Sequence, residues 1–209
     1  RSTQVAGRRQ RQMCIRDRLA AALLLTLPGL PFVYYGEEIG MTGEKPDPRI
    51  RTPMHWEIGP AAGFTEGAPW EPLQPDSLMA NVQTLANEPG SLLNLYRDLI
   101  HARASSPALG VGRMIALETN SPAVVAFVRR SQEQVALIVS NLGTDALANV
   151  RIEGESGAVP GGEHRLLSMV GNAEAAALEA EADGSIRGYV PLDIVGPQAT
   201  YVFLLERDT

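Results

Sequence analysis

From Arg18 the chain runs RLAAALLLTL to Leu27, apolar on every side and built from strong helix formers. That pattern predicts a buried helix over 18–27, stopped by Pro28-Gly29 and again by Pro31. Phe32-Val33-Tyr34-Tyr35, apolar on both faces and closed by Gly36, predicts a central buried strand of a parallel sheet. From Glu37 to about Pro89 neither period is sustained, while Gly, Pro, Asp and Asn recur. Loops that long inside a compact domain are uncommon and usually functional. Leu92, Leu95, Tyr96, Leu99 and Ile100 recur at three and four. They predict an amphipathic helix over 91–103, with Ser91 as N-cap and Pro107 marking the end.

After residue 110 the rhythm changes. RMIALE, AVVAFVR, QVALIVSN, ALANVRI, HRLLSMV, RGYVPL and TYVFLLE are short β-prone runs separated by Gly, Asn, Pro or Asp. They predict an antiparallel β-sandwich. The helix-prone AEAAALEAEADG is expected to be a loop between strands, and no internal repeat is visible.

Length adds one constraint: 209 residues is about 1.4 average domains. A single Cys14 excludes a disulfide framework and a multi-cysteine metal site. No run of 18 apolar residues suggests a membrane span. The net charge of -6 argues against nucleic acid as the main partner. Residues 1–18 hold six arginines and one aspartate, which leaves the remainder at a net of -11. The basic stretch followed by LAAALLLTLPGL has the order of an export signal, but no small-x-small cleavage site follows. QMCIRDR resembles read-through sequence at the ends of unrelated reading frames, and residues 1–17 are expected to be a disordered leader or artefact without function.

Several strings in order carry a resemblance. Gly29-x-Pro31-x-x-x-x-Gly36-x-Glu38 and Glu37-Glu38-Ile39-Gly40-Met41 come first. Arg51-Thr52-Pro53-Met54-His55-Trp56, Ala62-Gly63-Phe64-Thr65 and Pro69-Trp70 follow, then Ser91-Leu92-Leu93, Tyr96-Arg97 and Leu99-Ile100. Together they resemble the C-terminal part of the α-amylase family of glycoside hydrolases (family 13), in its α-glucosidase and oligo-1,6-glucosidase-like branch. The resemblance implies an α+β fragment: the last helix-strand-helix of a (β/α)8 TIM barrel, over 18–109, followed by an antiparallel β-sandwich, domain C, over 110–209. It also implies that the nucleophile, the acid/base and the third carboxylate lie upstream, so that this fragment alone is inactive.

Among candidate chemical groups, Glu37 and Glu38 suggest a catalytic pair, since retaining glycosidases need two carboxyls across the scissile bond. Neighbours on a strand point to opposite faces, so Glu38 is expected to be structural. Arg51 is the sharpest candidate, because a planar, permanently charged fork suits sugar hydroxyls or a carboxylate. The resemblance implies that it shapes the pocket for the non-reducing glucose; a loop brace to Asp47 or Glu57 is the competing role. Trp56, Phe64 and Trp70 suit stacking on sugar rings, but such side chains more often form a loop's own core. His55 stands where the resembling string has Gln. His101 is expected at a surface or between helices, and His164 at the surface of the sandwich. Asp47-Pro48-Arg49 reads as a turn with an ion pair. No spacing suits a metal, and no cofactor is expected.

The resemblance thus implies a retaining hydrolase of α-linked gluco-oligosaccharides, cytoplasmic, with neither nucleic acid nor membrane as partner. A trehalose synthase or sucrose isomerase of the same family is the close alternative; a non-catalytic carbohydrate-binding or accessory β-module is the distant one. A lone strand over Phe32–Tyr35 leaves both edges open, so 110–209 is expected to hold together better than 19–90.

Overall fold

The computed structural model describes residues 15–207. They divide into two compact units. One holds 31–98 with the described residues up to Asp17; the other holds Arg18–Leu30 and everything from Leu99 onward. The expectation for residues 1–17 lies outside the described residues except at 15–17, which are helical.

In the second unit, helix α1 (15–26) ends at Leu27–Gly29, as Pro28-Gly29 required. It buries Ala21, Ala22, Leu25 and Thr26, a single stripe rather than the whole circumference that its composition suggested. Helix α4 (Leu92–Ser105) is shared by the two units. It begins as expected, with the Ser91 hydroxyl accepting from the Asn94 amide at 3.1 Å. Ser106 then caps a further short helix, α5 (Pro107–Val111), accepting from the Leu109 amide.

The β region contains strands β1 (Arg113–Thr119), β2 (Val124–Arg130), β3 (Val135–Asn141), β4 (Leu147–Ala148) and β5 (Ile152–Gly154). It continues with β6 (Gly162–Ser168), β7 (Leu178–Ala180), β8 (Ile186–Tyr189), β9 (Ile194–Val195) and β10 (Thr200–Arg207). Every pairing is antiparallel, in the order β7-β6-β10-β3-β2-β1-β5-β8, with β4-β9 as a separate ribbon. Strand β1 serves two neighbours in turn: Arg113–Leu117 pair with β2, and Glu118 and Thr119 pair with β5.

Alternation decides what each face covers. Val124, Ala126 and Val128 of β2 and Val135, Leu137 and Val139 of β3 pack with Ile152, Leu178, Ile186 and Phe203. The opposite face, with Phe127, Ala136, Ile138 and Val202, is covered by Ala102, Ala108 and Leu109 of α4 and α5. Burial on both faces explains why β2 and β3 read as unbroken apolar runs. Each fully buried Leu, Ile or Phe contributes about 1.5–3 kcal/mol here.

Three expectations are corrected. Leu178–Ala180, inside the helix-prone stretch, is a strand paired with β6; Leu178 and Ala180 are buried while Glu179 is exposed, so period two overrides helix propensity. His164 is buried at 2% exposure, because it alternates with Leu166 onto the core face of β6, and its Nε2 lies 2.7 Å from Pro160 O. Phe32–Tyr35 forms no strand: residues 31–34 are irregular and Phe32 is 83% exposed. A strand is stabilised by cross-strand pairs, and no described strand lies beside these residues. The described residues accordingly show an antiparallel β unit with few helices and no parallel barrel sheet.

The first unit is loop-rich, as its lack of period foretold. Its regular pieces are a 3-10 turn at Glu37–Ile39 and the short helices α2 (Asp47–Ile50) and α3 (Val82–Ala86). Ile39, Met54 and Leu93 form its core, with Met41, Val82, Leu85 and Ala86 against them. No described helix is long and apolar enough to cross a membrane.

Candidate functional site

The first unit displays one segment in an unusual way. Arg51 and Trp56 are exposed, while Thr52, Pro53, Met54 and His55 between them are buried. A buried stretch of loop needs partners for its backbone, and several are identifiable. The Tyr35 hydroxyl donates to Thr52 O at 3.0 Å. Met54 enters the small core. His55 O accepts from the Val82 amide, and Trp56 O from the Gln83 amide, at 3.0 and 2.9 Å. The Trp56 amide donates to Ala62 O at 2.8 Å, and Asn81 caps α3 through Oδ1, accepting from Thr84 N at 2.8 Å.

Arg51 projects from the start of this anchored segment, as the C-cap of α2. Its Nη2 lies 3.7 Å from Asp47 Oδ2, with the side chains 60% and 66% exposed. Of the two acids suggested by sequence, Asp47 is the partner. An exposed pair of this kind contributes about 1 kcal/mol or less, so the guanidinium is oriented but not consumed. Arg49 of the expected Asp47-Pro48-Arg49 turn instead lies inside α2. Tyr34 and Tyr35 stand nearby with ring centroids 4.9 Å apart. Burial, then Tyr34, raises the Tyr35 phenol above its ordinary pKa, while the Arg51 cation opposes the rise.

Glu37 and Glu38 lie in a 3-10 turn and not at a strand end, which removes the opposite-faces argument. Glu38 Oε2 accepts from the Gly36 amide at 2.9 Å, closing its own turn. Gly36 has φ 88°, a conformation that favours glycine, and a Cβ there would lie 2.7 Å from Met41 Sδ and displace that side chain. Glu37, Glu38 and Asp17 all bear on Tyr96. Burial first, then these carboxylates, push its phenol up to about 12.

Trp56, Phe64 and Trp70 are 51%, 46% and 56% exposed, so none is enclosed in the loop's interior. Half of each ring remains open for another surface. His55, by contrast, is fully buried: its Nδ1 lies 3.0 Å from Ala80 O, and Nε2 has no partner. Asp76 Oδ1 is also buried and unpaired, although the backbone carbonyl of Asp76 accepts from the Ala80 amide. Neither the Tyr35–Thr52 bond nor the His55 burial was visible in the sequence. Among the described residues no group of three or more His, Cys, Asp or Glu could hold a metal ion. The arrangement offers hydrogen-bond donors and aromatic faces to a hydroxyl-rich ligand.

Comparison with known proteins gives a consistent picture. Residues 1–112 match the family model for the alpha-amylase catalytic domain. A probable oligo-1,6-glucosidase 2 of Bacillus subtilis is 28% identical over 165 residues, covering 61% of this chain and 29% of that protein. A trehalose synthase/amylase TreS of Mycolicibacterium smegmatis is 35% identical over 128 residues, covering 56% of this chain and 21% of that protein. The solved structure of the trehalulose synthase MutB from Pseudomonas mesoacidophila MX-45 superimposes with a TM-score of 0.67 at 22% identity, covering 92% of this chain and 38% of that one. At that identity the likeness is one of fold. The chain spans less than a third of the length of these two curated relatives.

Proposed function

The chain belongs to the alpha-amylase family, and from that membership we propose that it is part of a retaining glycoside hydrolase acting on α-glucosidic bonds of gluco-oligosaccharides. In such a reaction one carboxyl protonates the leaving oxygen and a second forms a covalent glycosyl-enzyme that water then hydrolyses. On this reading both carboxyls lie outside these residues. Residues 18–109 are then the end of the (β/α)8 barrel and 110–209 its domain C, and Phe32–Tyr35 becomes a strand only beside neighbours supplied by the longer protein.

The observation that carries the proposal is the display of Arg51. An exposed guanidinium, steered by Asp47 and mounted on a buried, hydrogen-bonded segment, supports a role in gripping the hydroxyls of the non-reducing glucose. Trp56, Phe64 and Trp70 offer stacking faces to the same class of ligand. This polypeptide alone is expected to release no glucose from maltose or isomaltose, and measurable release overturns the assignment of the carboxylates elsewhere. In the intact enzyme, Arg51→Ala is expected to lower kcat/KM about a hundredfold or more, an order expected for a lost charged contact to substrate; unchanged kinetics reject the substrate role.

A trehalose synthase is the second reading, favoured by the TreS relative at 35% identity. Analysing the products formed from maltose by the intact protein separates the two, since glucose marks hydrolysis and trehalose marks isomerisation. Tight binding of maltodextrin by this chain without any turnover in the intact protein would instead favour a carbohydrate-binding module.

A further inference from the structure

A helix ends with carbonyls that have no partner inside it. In the second unit, two guanidiniums meet the last carbonyls of α1 and those of the turn that follows it. Arg103 of α4 donates from Nη1 to Leu25 O and Leu27 O at 2.8 and 3.0 Å, and from Nη2 to Gly29 O at 2.5 Å. Arg129 of β2, only 1% exposed, donates from Nη1 to Thr26 O at 2.6 Å. Its Nε and Nη2 both reach Gly112 O, at 3.1 and 2.9 Å.

These six hydrogen bonds all end on backbone carbonyls. A buried charge ordinarily requires a charged partner; here the negative end of the α1 dipole takes that place. Burial depresses both guanidinium pKa values, and for Arg129 the neighbouring Arg103 cation adds to the effect. Gly112, between α5 and β1, has no room for a side chain: a Cβ would collide with the Ala108 carbonyl and lie 2.9 Å from the Arg130 carbonyl carbon. Its backbone is thereby free to enter the Arg129 fork. Gly112 is also the last residue matched by the catalytic-domain family model. Arg129 thus lies outside the matched segment and grips it at two points.

We propose that Arg103, Arg129 and Gly112 form a recognition site for a helix C-terminus, and that α1 is a docked element of the β unit. The helix then opens with β2 and β3, and not with the loop-rich residues that follow it in sequence. The site fits a helix end and following turn that present four carbonyls, those of Leu25, Thr26, Leu27 and Gly29.

Hydrogen exchange on the full chain tests this. Amides of 19–27 are expected to exchange at rates close to those of 124–130 and 135–141, and more slowly than those of 57–70. Arg103→Met is expected to speed exchange in 22–27 by about tenfold or more, as loss of charged hydrogen bonds implies, while β2 and β3 keep their protection. Arg129→Met is expected to weaken helix and strands together. If Arg129→Met does not fold, the half-buried Arg103 decides alone. Helix amides unchanged in Arg103→Met, or wild-type helix amides exchanging at the rate of 57–70, overturn the proposal.

Discussion

The hydroxyl of Tyr35 donates to the carbonyl of Thr52 at 3.0 Å, joining positions 17 residues apart. It ties the turn before Glu37–Ile39 to the segment that displays Arg51. Tyr35→Phe removes one hydrogen bond and little else, and should destabilise the first unit by about 1 kcal/mol. Both tryptophans of the chain, Trp56 and Trp70, lie in that unit, so the midpoint of denaturant unfolding followed by tryptophan fluorescence reads the effect. An unshifted midpoint rejects the tether.

The two roles considered for Arg51 have opposite signatures in this chain. With Asp47 as an exposed partner, Arg51→Ala should change the stability of the first unit by no more than about 0.5 kcal/mol. A loss of about 2 kcal/mol in the same fluorescence assay would make Arg51 a brace and withdraw it from the substrate site.

His55 tests the cost of an unpaired buried atom. His55→Ala opens a cavity and leaves Ala80 O without its ring partner, so a loss of roughly 2–4 kcal/mol is expected. Gln at 55 can still donate to Ala80 O, while its Oε1 takes over from the partnerless Nε2. His55→Gln should therefore unfold at a denaturant concentration close to that of the parent and well above that of His55→Ala. A large drop with Gln would show that the imidazole itself is needed.

Tyr96 makes stability fall in alkali. Its folded pKa of about 12 exceeds the unfolded value of about 10, so between those values the folded state holds the proton more tightly. The stability this gives is fully present below about pH 10 and is lost as pH rises through the folded value. Burial raises the Tyr189 phenol in the same direction. Tyr96→Phe should move the alkaline unfolding midpoint upward, and an unmoved midpoint would show that another group controls it.

The sequence was most legible where an element met a core. The apolar runs of β2 and β3, the spacing of Leu92, Tyr96 and Leu99, and the stop at Pro28-Gly29 all appear in the structure. Phe32–Tyr35 was misread because apolarity records what a segment is suited to bury, while a strand exists only through its neighbours. Leu178–Ala180, expected to be part of a loop, is a strand because three residues of a stretch without β-prone composition pair with β6. Arg51 stood out for its permanently charged fork and its place in the Arg51–Trp56 string, and its contact with substrate is a proposal. Ala80 and Val82 hold its segment through backbone atoms and Tyr35 through a phenol that meets a backbone carbonyl, contacts that no residue pattern reveals.

The hydrogen bond from Arg129 to Thr26 spans 103 positions, and residues 31–98 leave the second unit and rejoin it within that span. For such an excursion, closure entropy grows only logarithmically: doubling its length costs about 0.6 kcal/mol. Residues added or removed in the loops between Leu30 and Ser91 are therefore expected to leave the register of β1 to β10 unchanged, and there this chain changes length at least cost.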